Sequence, residues 1–145
     1  MPYNPMAMGA RVFAIAFVLN AAWEVSQASL YSGERQSLLT TFLHCLPAIL
    51  LDAIFTVSLY AVLLRSRDCS FPQPTVLGLL LIGIIGGTTA VSVELLALLF
   101  GWWSYGASMP LVPRLDIGLL PVLQLGILTP LTFFLLRAVF KPAPR

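Results

Sequence analysis

Charge is what this sequence most lacks. Only 10% of its 145 residues are Asp, Glu, Lys or Arg, against roughly 25% in an ordinary soluble domain. Hydrophobic residues make up 59% and the mean hydropathy is +0.92. Too few polar groups remain to cover a globule in water, so the solvent of this chain is a lipid bilayer. The formal net charge is +2, and no basic stripe is interleaved with aromatics, which excludes a nucleic-acid partner. Cysteine is scarce as well. Cys45 and Cys69 show neither a Cys-x-x-Cys pair nor zinc spacing, so two free thiols are expected. With a single histidine and no Glu-x-x-His pattern, there are too few ligands for zinc or di-iron, and neither a metal nor a cofactor is expected. A pigment ligand at His44 would rest on that residue alone. No glycine-rich phosphate loop or nucleophile elbow occurs. The first nine residues have no basic stretch and no Ala-x-Ala cleavage signal, so no removable signal peptide is expected.

What the sequence does have is long apolar runs. Four of them, about 9–30, 38–64, 75–100 and 117–139, approach the ~20 residues that cross the hydrocarbon core. Backbone polar groups in lipid must be paired within the segment, and the runs are too long for barrel strands, so all four are helices. The fold expected is all-α, a four-transmembrane-helix bundle forming one integral membrane domain over residues 1–145. Arg11, Arg65, Arg67, Arg137, Lys141 and Arg145 fall on the side of the two termini, and only Arg35 and Arg114 fall opposite. The positive-inside rule then puts both termini in the cytoplasm of a bacterial or archaeal cell. The connection from Gly101 to Asp116, with Trp102, Trp103 and Tyr105, faces outward. Aromatic residues there suit the membrane interface.

The remaining information lies in the polar residues within the spans. Asn20, Glu24 and Gln27 recur at i, i+4 and i+7, on one face of the first helix. At ~1.5 Å per residue, Glu24, Glu94, His44 and Gln124 all come to the outer half of the bilayer, although each lies on a different helix. Asn20 is a turn deeper. Asp52 is placed deeper still, near the middle or in the cytoplasmic half, where it would act as a proton relay. Ionisable residues in lipid are costly and usually functional, and a shared depth makes a shared site. Trp23, beside Glu24, needs a partner for its indole N–H, and its ring face suits a cation. Gly83, Gly87, Ala90, Glu94 and Gly101 share a face of the third helix, with Gly86 beside it, so that face packs closely and turns Glu94 inward. Pro47 and Pro121 are expected to interrupt the second and fourth helices in their outer halves and widen the bundle there.

The stretch Asn20-x-x-Trp23-Glu24 resembles the small polytopic terpene cyclases of meroterpenoid pathways, which carry Asn-x-x-Trp-Glu in a membrane helix. That resemblance implies a catalytic acid at Glu24. Asn20 and Trp23 also resemble the Asn-x-x-Trp pair of membrane sterol isomerases, which faces a carbocation. Glu94 followed by Trp102 or Trp103 is loosely similar to the Glu-to-Trp pattern of small membrane lycopene cyclases. The second acid of the terpene cyclases lies near their C-terminus, where this chain has Gln124.

These readings converge on acid–base chemistry, a cyclisation or isomerisation, on an apolar isoprenoid or lipid. Glu24 and Glu94 would be catalytic. Asn20, Trp23, Gln27, His44, Trp103, Tyr105 and Gln124 would hold the substrate, an apolar small molecule. Two other readings compete. The chain could be a non-catalytic subunit of a larger membrane complex, or a homo-oligomer, binding pigment, quinone or lipid. It could also be a small proton-coupled carrier, which would need a polar path through Asp52 to the cytoplasm.

Overall fold

The computed structural model describes residues 5–31, 37–65 and 74–139. Cys69, the charged loop around it, Arg35, the basic tail and the first four residues lie outside the described residues. Among those described, the chain forms four long helices: α1 (Pro5–Gln27), α2 (Leu38–Arg65), α3 (Val76–Phe100) and α4 (Leu119–Val139). All four are long and apolar enough to cross a membrane, so this is a multi-pass membrane protein. Their outward faces carry Leu39, Leu51, Ile54, Leu80, Ile84 and Leu99 in the open, an apolar surface that lipid and not water can cover.

The helix ends follow local chemistry. α1 starts four residues earlier than its apolar run, at Pro5. Proline suits a first helical position because its missing N–H would be unpaired there anyway. At its other end α1 tightens into a 3₁₀ turn, Ala28–Leu30. Ser37 caps α2, its Oγ accepting from the Thr40 backbone N–H at 3.2 Å. Thr75 does the same for α3, accepting from Gly78 N–H at 3.1 Å. α3 stops at Gly101, which takes a left-handed φ of 66°. Its N–H reaches Leu98 O, and Trp102 N–H reaches Ala97 O, the pair of bonds of a Schellman cap. Pro121 does not interrupt α4 as expected. It is the third residue of that helix, which begins at Leu119, within the first turn, where backbone N–H groups have no partner to lose. Pro47 and Pro130 are the prolines inside helices.

α1 packs along α2, α3 packs along α4, and α1 joins the two hairpins by packing on α4. The α3–α4 seam is set by glycines. A Cβ on Gly86 would stand 2.4 Å from the Leu125 carbonyl oxygen, and one on Gly83 would stand 2.9 Å from that of Gly126. Gly101, expected on this face, has nothing within 4 Å of a built Cβ, so it serves the cap and not the seam. At the end nearer the termini the bundle is filled by Val12, Tyr60, Ile82, Phe133 and Leu136, with at least one residue from each helix. α2 and α3 pack on one another slightly at most, and at the other end a cavity opens between the two hairpins.

Candidate functional site

The cavity holds about 1110 Å³, slightly above the usual range for small-molecule pockets. Its α1 wall carries Glu24. Its α2 wall carries Thr41, His44, Cys45, Ala48 and Asp52, its α3 wall Ala90, Val93 and Glu94, and its α4 wall Pro121, Gln124 and Leu125, while Trp102, Trp103 and Ser108 come from the connection after α3. Three acidic side chains from three helices thus face one space.

Gln124 joins two of them. Its Nε2 lies 3.0 Å from Glu24 Oε1, 2.8 Å from Asp52 Oδ2 and 3.0 Å from Asn20 Oδ1. The direction of this network follows from its ends. An indole N–H can only donate, so Trp23 Nε1 donates to Gln27 Oε1 at 3.1 Å. Gln27 must then present its Nε2, which donates to Gln124 Oε1 at 2.9 Å. That leaves the Gln124 Nε2 facing the acids. Asn20 is oriented independently, since its Nδ2 donates to Ala16 O at 2.8 Å and its Oδ1 is left to accept. Asn20, Gln27 and Gln124 are all buried, as amides can be when each is hydrogen-bonded.

Glu94 is held separately. It is buried and accepts from the Tyr105 hydroxyl and, at 3.4 Å, from Trp103 Nε1. Burial, with Glu94 beside it, pushes the Tyr105 hydroxyl up to about 12, so it remains a donor across the physiological range. Tyr31 completes the clamp. Its ring meets Trp103 edge-on at 6.4 Å and Tyr105 at 5.8 Å, and burial and the nearby Glu94 and Glu24 carboxyls push its hydroxyl upward. The loop is tied down where Gly106 N–H donates to Leu30 O at 2.8 Å. A side chain at Gly106 would meet that same carbonyl at 3.1 Å. Further along, Val112 N–H to Ile117 O and Leu119 N–H to Pro110 O, both at 2.8 Å, fold the loop back onto the start of α4. Arg114 and Asp116 turn it with φ of 72° and 53°.

The residues singled out from the sequence sort into two groups. Glu24, His44, Asp52, Glu94, Trp103 and Gln124 line the cavity. Asn20, Trp23, Gln27 and Tyr105 stand behind that wall and hold it by the hydrogen bonds above. Trp23 therefore spends its indole N–H on Gln27, and its ring is not among the cavity-lining groups. Asp52 joins the same network, sharing the Gln124 amide with Glu24. Counted from the helix ends away from the cavity, Asp52 is 13 residues from Arg65, Gln124 is 15 from Val139 and Asn20 is 15 from Pro5, which is one level, near the middle of α2. Tyr31, Cys45 and Ser108 were not singled out, and no spacing in the sequence marks them. Among the described residues no three His, Cys, Asp or Glu side chains are placed to hold a metal ion. Comparison with protein-family models, with curated proteins and with solved structures finds no match to this chain.

Proposed function

We propose that the protein is a membrane enzyme that carries out acid–base chemistry, a cyclisation or isomerisation, on an apolar isoprenoid or lipid. The observation that carries this reading is the meeting of Glu24, Asp52 and Glu94 on one otherwise largely apolar cavity inside a membrane bundle. Protonation of an alkene needs a positioned acid, and loss of a proton from a neighbouring carbon needs a base. One proton in and one proton out balance as an isomerisation or a ring closure, with no oxidant or reductant. In this reading Glu24 is the acid, with Asn20 and Gln124 orienting it. Glu94 is the base, held by Tyr105 and Trp103. The protein sits in a bacterial or archaeal cytoplasmic membrane with both termini in the cytoplasm, as the positive-inside count favours. The carrier reading has less support, because the half of the bundle beyond Asp52 is filled by Val12, Tyr60, Ile82, Phe133 and Leu136.

Deuterium exchange tests the reading. The purified protein in nanodiscs is incubated in D₂O with membrane isoprenoids, which are then extracted for mass spectrometry. Carbon-bound deuterium should appear in one isoprenoid with the wild type. Glu24→Gln should lower its rate by about 10²–10⁴-fold, the usual worth of a general acid. Absence of deuterium incorporation in every isoprenoid class offered would sink the enzymatic reading.

A further inference from the structure

The two hairpins touch chiefly through α1 and α4, whereas α2 and α3 make at most slight contact. The cavity is therefore a slot in the side of the bundle. Its α2 edge is lined from Leu38 to Asp52, fourteen helical steps or about 21 Å. Its rim is exposed, with His44 on α2 and Val93 on α3. Beyond the rim lie the apolar faces that meet lipid, with Leu39 and Leu43 on α2 and Leu96 on α3 exposed. An elongated molecule in the bilayer can enter this slot sideways without passing through water.

The charge of the lining limits which molecule that is. Glu24, Asp52 and Glu94 face the slot, and among the described residues no lysine or arginine lines it. The Gln124 amide and the Trp103 indole on this wall are already spent on the acids. A phosphate or carboxylate placed here would meet three acidic side chains in a medium of low dielectric, with neutral hydroxyl, indole and imidazole groups around them and no lysine or arginine among the described lining residues to offset its charge. We infer that the slot between α2 and α3 admits a neutral, elongated apolar molecule sideways from the bilayer and rejects its phosphorylated relatives. This rests on the proposed site but names its substrate class, and it holds for a binding protein as much as for an enzyme.

The test is a binding comparison in nanodiscs of zwitterionic lipid, using tritiated geranylgeraniol and geranylgeranyl diphosphate as probes. The wild type should retain the alcohol at least about tenfold better than the diphosphate, a readily measured difference. Glu94→Gln should narrow that ratio. Val93→Trp, which puts a large ring on the rim of the slot and needs no change to the acids, should slow uptake of the alcohol about fivefold or more. Equal or better retention of the diphosphate overturns the inference, and so does uptake unchanged in a folded Val93→Trp protein. Selective retention without deuterium exchange would refute the enzymatic reading alone, whereas exchange into a bound diphosphate would refute this one alone.

Discussion

Gln124 offers two amide hydrogens to three acceptors, Asn20 Oδ1, Glu24 Oε1 and Asp52 Oδ2. Gln124→Leu keeps the volume roughly constant but strands the Asn20 and Asp52 oxygens, while Glu24 keeps only the Gln27 side chain as a partner. A buried polar group left without its partner costs about 1–3 kcal/mol. Thermal unfolding in detergent should therefore show Gln124→Leu well below the wild type, with Gln27→Leu intermediate because it leaves Asn20, Glu24 and Asp52 on the Gln124 amide. A second expectation concerns Tyr105. Its ionisation lies above the ordinary 10.0 of tyrosine, so the fold favours the neutral hydroxyl. That preference supports the fold fully below pH 10 and is lost as pH rises towards about 12. A tyrosinate absorbance titration should show a late component that disappears in Tyr105→Phe. How much of this was legible beforehand differs by residue. Asn20, Glu24 and Gln27 announce a common face by their i, i+4, i+7 spacing, and all three enter one network. Glu94 is announced by the glycine stripe beneath it. The partnership of Asp52 with Gln124 is not, since it depends on how α2 and α4 are aligned along their length, which no spacing within either helix discloses. Trp23 beside Glu24 suggests a ring over the substrate, yet in the fold its N–H takes precedence and turns towards Gln27.

At the scale of elements, the α3–α4 seam is the part that steric contact decides. Gly86→Ala would bring a methyl group against the Leu125 carbonyl, and backbone cannot swing aside as a flexible side chain can. A cost of about 1–3 kcal/mol is expected for such overpacking. Gly87→Ala is the internal control, because its Cβ would meet only Gly126 Cα at 4.0 Å, an ordinary contact. Heat stability in nanodiscs should fall for the first and hold for the second. The Gly83-x-x-x-Gly87 pattern pointed to this seam but not to Gly86 as its tightest point. One residue of rotation about the α3 axis settles that, and spacing alone does not resolve it. The turn chemistry was more legible than the kinks. Helix termination at Gly101 and the role of Thr75 follow from residue type and place, whereas the effect of Pro121 depends on a helix start that apolar composition locates only to within a few residues.

For the whole molecule, the proposed orientation makes a direct prediction. With Cys45 and Cys69 replaced by serine, a single Cys introduced at Leu115, in the connection after α3, should react with a membrane-impermeant maleimide on intact cells. The reverse result, labelling only after permeabilisation, would invert the topology without touching the fold. The division of the bundle into an α1–α2 hairpin and an α3–α4 hairpin has a further mechanical meaning. The two hairpins are joined along α1 and α4 and wedged at one end by the Phe133 cluster, so they are arranged as the jaws of a clamp with its pivot near the termini. The gape of such a clamp is not set by the protein alone. A bilayer thinner than the 28-residue α2 obliges that helix to tilt, and its partner across the slot, α3, makes too little contact with it to resist. Membrane thickness should thus act as a control on slot width, and the reconstituted protein should take up its ligand at rates that change with the acyl-chain length of the lipid around it.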